Sequence, residues 1–288
     1  MRLIACLVLP LLAVTSGCAL FVAGPKGKSP LSPVKLAPDA VKLEVTNARF
    51  AYDETELHQQ IWEQIDEMQI PVDVRRALSE NGLRVGVISG ELPRSIESLI
   101  ARESAAPADS GDLLASPETQ TTERRTTIHA RAGQRSVLLT SGIYEEKPLF
   151  IHDGSQLSGA TYSQAQGLFA INAAPQGDGR VRLKLQPEVQ HGQSRQNFIA
   201  EEGAIRAQSA RAKLTFDRLA AELDLSPGQT LVLGCRLGQP LSLGHFMFTD
   251  STSGQTMQKL SLVRVQECKY NDMFVLDDAP AIGKRRRR

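Results

Sequence analysis

The strongest constraint on this chain is the texture of its second half. Beyond Thr126, short stretches alternate apolar and polar residues: TIHARAGQRSVLLTSG, GLFAINAAP, VRLKLQPEV, AAELDLSPGQTLVLG, LSLGHFMFT and QKLSLVRVQE. Gly, Pro, Asn and Asp separate them. In the cleanest of these stretches Val181, Leu183 and Leu185 alternate with Arg182, Lys184 and Gln186, between the turn run PQGDGR and Pro187-Glu188. Period-two alternation puts one face against a core and the other in water, as in a half-buried strand. Many such runs punctuated by turn residues predict a mostly antiparallel β-domain. The Ser/Thr/Gly-rich stretch in FTDSTSGQTMQ predicts a hairpin between the last two strands. LTFDRLAAELDL is ambiguous; its second half reads as strand because Ala221, Leu223 and Leu225 alternate up to Pro227-Gly228.

The first half has a different texture. Val41, Leu43 and Val45 open a strand. Leu57, Ile61, Ile65 and Met68 then recur at helical spacing, with Asp53 placed to cap the helix and Trp62 expected in the core. Pro71 ends that helix. VDVRRALSE reads as a second helix stopped at Asn81-Gly82, LRVGVI as a strand, and LPRSIESLIARE as a third helix. The predicted fold class is therefore α+β. A small α/β module spans 41–103, a linker rich in small residues and proline spans 104–126, and the antiparallel β-domain spans 127–278.

Both ends look extraneous to the fold. Arg2 and the apolar run Leu3 to Val14, broken by Pro10, form a signal segment too short to span a bilayer stably. Ser16 and Gly17 precede Cys18 in LLAVTSGCAL, which resembles the bacterial lipobox, where the signal (1–18) is cut before a lipid-bearing cysteine. Thr15 stands where leucine is usual, and an ordinary secretory signal with an incidental cysteine is the alternative. Either way the mature chain leaves the cytoplasm. With no Asp following Cys18, the expected location is the outer membrane, facing the periplasm. Acyl chains bind at about 0.8 kcal/mol per buried CH₂, and residues 19–40, rich in Pro and Gly, read as the tether. At the other end, 279–288 reads as a disordered basic tail. Lys284 and Arg285 to Arg288 carry five positive charges, without which the formal net charge of +1 becomes −4. The body thus gives no footprint for nucleic acid, and no such partner is expected.

Cys6 leaves with the signal and Cys18 carries the lipid, so Cys235 and Cys268 remain as an even pair in an oxidising compartment. Both close strand-like runs, and the expectation is a disulfide. Closing a loop of about 30 residues would stabilise by roughly 3–4 kcal/mol. The alternative is two buried thiols. Two isolated cysteines lack the paired spacing of a zinc site, so no metal is expected.

The order of motifs in the β-domain resembles a known family. Gly133-Gln134 opens a strand. Gly167 through Pro175 is a glycine-led strand ending in proline, Val181 through Val189 carries Pro-Glu, and Gly228, Gln229, Thr230 and Gly234 form a GQT-hydrophobic-hydrophobic-G strand. This order is similar to the C-terminal domain of secretins, the ring-forming outer-membrane proteins of bacterial type II and III secretion and pilus systems. The resemblance spans about Thr126 to Gly238. It implies a β-fold, a secretory setting, and partners that are further copies or secretion-complex proteins docked at sheet edges. The family's doubled glycine after the GQT strand is here Gly234-Cys235, and residues 143–166 read as too short and polar for a pair of membrane-spanning strands. The pore is therefore not part of the expectation.

No catalytic pattern emerges. His58, His129, His152, His191 and His245 form no HExxH or HxH, and no nucleophile elbow, phosphate loop or dinucleotide fingerprint is present. The nearest constellation is His152-Asp153 with Glu145 and Glu146, which also reads as a solvated turn. Arg84, Arg94 and Arg102 are candidates for a basic face. The expected function is a non-catalytic envelope lipoprotein without cofactor, serving assembly. The alternatives are a periplasmic hydrolase whose site is drawn from distant residues, and a ligand-binding β-domain.

Overall fold

The computed structural model of the protein describes residues 39–105, 125–154, 156–201, 204–252 and 254–270. The chain divides into two units, Met1–Lys35 and Leu36–Arg288. The expected signal, Cys18, nearly all of the tether, most of the linker and the basic tail lie outside the described residues. Every element named below belongs to the second unit.

The chain runs through β1 (Ala40–Ala51), α1 (Thr55–Trp62), α2 (Val72–Glu80), β2 (Leu83–Ile88) and α3 (Arg94–Ala105). It continues through β3 (Arg125–Arg131), β4 (Arg135–Leu139), β5 (Tyr144–Asp153), β6 (Gln156–Pro175), β7 (Val181–Glu201), β8 (Ala204–Thr215) and β9 (Ala221–Leu225). Last come β10 (Thr230–Cys235), α4 (Leu243–Phe248), β11 (Thr249–Thr252) and β12 (Gln255–Lys269). The strands form two six-stranded sheets, and every strand pairing in them is antiparallel.

The first sheet has the order β2-β10-β12-β1-β3, with β11 on β12. β1 lies between β12 and β3, paired along its whole length to β12, from Ala40 opposite Lys269 to Ala51 opposite Met257. Its residues explain the central place. Val41, Leu43 and Val45 enter one core, and Ala48 and Phe50 enter the other, so both faces are apolar. A strand buried on both faces belongs inside a layered structure. One core lies between the sheets, where Val41, Leu231 and Val263 meet Ile171, Leu183 and Leu223. The other lies under helices, where Phe50, Val232 and Leu260 meet Ile61 and Trp62 of α1 and Ile96 and Leu99 of α3. The architecture is helix, sheet, sheet.

This pairing corrects the expected domain boundary. The 41–103 segment does not build a sheet of its own: β1 pairs with β3 and β12, and β2 pairs with β10. The local order strand-helix-helix-strand-helix is as expected, but its two strands are completed by the far end of the chain. The first helix also ends early, at Trp62, and Met68 is 76% exposed rather than part of the buried stripe. Asp53 is not its cap; Glu54 is, without a side-chain cap bond.

The stretch LSLGHFMFT was expected to be strand and is helix α4 instead. Ser242 caps it by accepting from the His245 N–H at 3.2 Å, and Leu243, Phe246 and Met247 are buried at helical spacing. A short wholly apolar run does not reveal its period. Gly244 fixes the docking: a Cβ there would lie 1.8 Å from the carbonyl oxygen of Gly82. β7 likewise continues past Pro187-Glu188, where an end was expected. Proline removes one donor only, and the Pro187 carbonyl still accepts from Phe216 N–H at 3.3 Å. The expected hairpin at the end of the chain is present as β11 and β12.

The disulfide expectation is corrected by register. Cys235 lies opposite Leu83 at one end of the first sheet, and Cys268 lies opposite Val41 at the other. Leu233, two residues before Cys235, faces Ser261, seven residues along β12 from Cys268. Cys235 extends two residues further from it, level with Lys259, so the two cysteines are nine residues and roughly 30 Å apart at strand rise, far beyond the roughly 4.4–6.8 Å a disulfide spans. Both thiols are free. Cys235 is buried and burial pushes its thiol up to about 12, whereas the Cys268 thiol is partly exposed and donates to the Gly179 carbonyl at 3.2 Å. In a chain with Cys6 and Cys18 replaced by serine, Ellman titration should label Cys268 readily and Cys235 only after unfolding. An oxidised, unfolded protein with no titratable thiol would contradict the register.

Candidate functional site

The second sheet carries the surface with the clearest unmet bonding capacity. Its spine is β6 and β7, paired from Gln166 opposite Gln190 to Pro175 opposite Val181. Over this half, Phe169, Ile171, Val181, Leu183 and Leu185 fill the core. Glu188, only 2% exposed, is paired by Arg135 of β4 and Lys213 of β8, so one buried carboxylate ties three strands. The Pro-Glu position is thus structural.

Beyond Gln166 the two long strands part. The divergence sits at Gln164 and Gly192, both with positive φ, and at a register shift in β7 between His191 and Arg195. From there β6 pairs only with β5, from Ala165 opposite Tyr144 to Gln156 opposite Asp153, and β7 only with β8, out to Glu201 opposite Ala204. Two hairpins result. The segment expected to be too short and polar for paired long strands is in fact a hairpin whose strand β5 is ten residues long. Polar side chains interrupt both of its faces, and Phe150 and Leu157 are 42% and 59% exposed. Along Gln156 to Gln164, one edge of β6 faces β5; among the described residues no strand pairs with the other. An unpaired row of backbone donors and acceptors is a template for another strand.

The nearest acid–base constellation in the sequence does not converge. Glu145 and His152 stand on the same strand, seven residues and thus roughly 23 Å apart. The backbone of His152 is clamped by Asn81, whose side chain accepts from its N–H at 2.9 Å and donates to its carbonyl at 3.0 Å. Asp153 is 3.2 Å from Arg218. No group of three or more His, Cys, Asp or Glu side chains placed to hold a metal occurs among the described residues. His129 lies on β3 and His191 on β7, where its ring meets that of Tyr162 in a tilted contact with centroids 5.0 Å apart. Arg94 and Arg102 both lie on α3, and Arg84 lies on β2, where it is paired with Glu67.

Two histidines are held below the ordinary imidazole range, chiefly by burial. His58 Nδ1 is 2.9 Å from Gln258 Oε1, which partly opposes the burial, while Arg84 and Arg236 add to it. His245 is lowered by burial and by Lys147. Sequence reading gave neither of them a role; nothing in the spacing marks a histidine as core. Lys259 is partly buried, and desolvation lowers it to about 8, its ammonium donating to the Thr140 carbonyl.

No family model matches the chain, and no curated protein does. Among solved structures it is similar to the InvG secretin-domain β-barrel of the Salmonella SPI-1 injectisome NC-base. The identity is 11%, the alignment covers 83% of this chain and 64% of that one, and the TM-score is 0.21. The likeness is weak and partial, and the chain spans under two thirds of that structure's length. An alignment at this score carries no geometry from one molecule to the other.

The buried histidines set a pH dependence. Their folded affinity for protons lies below the unfolded value of 6.5, so the unfolded chain binds more protons as pH falls. Their contribution is present above 6.5 and is lost as pH falls from there through the lowered folded values. The urea midpoint should fall between about pH 7 and pH 5, and His58→Gln should flatten part of that slope. A midpoint unchanged over this interval would contradict the burial of neutral imidazoles.

Proposed function

We propose that this protein is a non-catalytic envelope lipoprotein, acting as a structural or assembly component of a secretion or other envelope complex. The observation that supports it best is the edge of β6 from Gln156 to Gln164 with which no strand pairs among the described residues, carried on a hairpin that departs from the core. Backbone ladders recruit strands from other chains with no need for a pocket or a reacting group. The proposed partners are further copies of this chain or components of the same complex. The order of secretin-like motifs in the β-domain adds a secretory setting to this reading, and the lipobox-like segment ending at Cys18 adds a periplasm-facing membrane anchor at the outer membrane.

The test is cross-linking of cell envelopes, read by mass spectrometry, on the parent and two variants. Leu157→Pro and Thr161→Pro together remove two backbone donors from the edge of β6 away from β5: the Phe150 N–H donates to Leu241 and Pro148 has none, so the odd-numbered residues of β6 opposite them point their N–H groups away from β5. They should reduce cross-linked oligomers or hetero-complexes severalfold while the monomer still unfolds cooperatively. Cys18→Ser should move the protein to the soluble fraction or leave it unprocessed. Unchanged cross-linked species in the proline variant would refute assembly through this edge; unchanged fractionation of Cys18→Ser would refute the lipid anchor.

A further inference from the structure

Helix α2, strand β2 and the turn after β10 enclose a cleft of about 340 Å³. Four arginines line it, from three separate elements: Arg75 and Arg76 on α2, Arg84 on β2, and Arg236 just past β10. Two of them are neutralised locally. Arg84 makes a bidentate pair with Glu67 at 3.0 and 2.8 Å and lies 4.2 Å over the Trp62 ring, and Arg76 pairs with Glu80 at 3.1 Å. The other two are held by neutral groups. Arg75 donates to the Glu67 carbonyl at 3.2 Å and contacts Met68 Sδ at 2.9 Å, and Arg236 donates to the Ser79 hydroxyl. Among the described residues neither has a carboxylate within ion-pair distance.

The walls of the cleft are cationic and its base is apolar. Leu78, Leu83 and Val85 belong to the inter-sheet core and form the base. At its rim Val72 is 64% exposed, and Met68, beside Arg75, is 76% exposed. Guanidinium groups match carboxylate or phosphate oxygens in planar, two-bonded geometry. A free inorganic anion would answer Arg75 and Arg236 and leave the apolar rim in water. A ligand bearing both carboxylates and aliphatic side chains answers both.

We propose that this cleft docks an extended acidic segment of a partner protein, with carboxylates on Arg75 and Arg236 and an aliphatic side chain against Val72 and Met68. The elements that build it differ from those of the β6 edge, so the two surfaces act separately. Its charged walls govern partner choice and encounter rate.

The test is fluorescence anisotropy of the full chain with a labelled peptide of alternating leucine and aspartate. The parent should bind it. A peptide with asparagine in place of aspartate should bind at least about tenfold more weakly, as should the parent peptide to the Arg75→Glu/Arg236→Glu protein. The double variant should keep its circular dichroism and unfolding midpoint, since neither arginine is in a carboxylate pair. Should it unfold, Arg75→Gln and Arg236→Gln singly replace it, each expected to weaken binding. Absent binding to the parent, equal binding of both peptides, or undiminished binding to folded variants would overturn the proposal. Complete displacement by inorganic phosphate below the peptide's own Kd would overturn it too, and would mark the cleft as a site for phosphate.

Discussion

The antiparallel ladder between β1 and β12 is the interaction on which the rest depends. It joins the first described strand to the last, over Ala40 to Ala51 and Met257 to Lys269. β3 rests on one flank of this pair and β10, then β2, on the other. Without β1 the helices α1 and α3 lose Ala48 and Phe50, and the second sheet loses Val41, Leu43 and Val45. Both cores are therefore completed by one strand. The contact is also long-range, spanning almost the whole described chain, so it forms against a large loop-closure cost and is rewarded only when both cores close on it.

This explains which parts of the fold were legible in the sequence. Period-two alternation identified β7 and β9, and the Ser/Thr/Gly-rich loop in FTDSTSGQTMQ placed the last hairpin. Helices α2 and α3 followed from their apolar spacing, and Trp62 is in the core as expected. What could not be read was partnership. Val41, Leu43 and Val45 announce a strand, but nothing local says that its neighbours come from residues 125–131 and 257–269. An apparently self-contained run of strands and helices was thus taken for a module. The phase change to Ala48 and Phe50, which marks a strand buried on both faces, was the available signal. LGHFMF failed for a different reason: five of its six residues are buried, all but the half-buried His245, so neither a strand nor a helix period is visible. The cysteines failed because ending a strand says nothing about which end of the sheet that strand reaches.

The candidate sites were legible to a lesser degree. His152 with Glu145 and Glu146 formed a cluster only in sequence, because strand extension pulls the members apart. The four-arginine cleft was invisible for the converse reason: Arg75, Arg84 and Arg236 come from separate elements, and only the pairing of β2 with β10 brings Arg84 and Arg236 to one wall. The hairpin edge of β6 depends on where the two long strands part, at Gln164 of β6 and Gly192 of β7, and a glutamine with positive φ carries no sequence mark. Both surfaces suit docking of other chains. The arginine cleft rests on the inter-sheet core through Leu78, Leu83 and Val85, whereas the β6 edge is carried on a hairpin that extends beyond that core.

The central claim is that the strands of 39–105 and of 125–270 form one cooperative body. A protease site inserted between Ala105 and Arg125 tests it directly. After cleavage the two pieces should remain associated under native conditions and unfold in one transition, and neither piece purified alone should show a cooperative unfolding transition. Pieces that separate on cleavage, each with its own cooperative transition, would contradict the shared sheet.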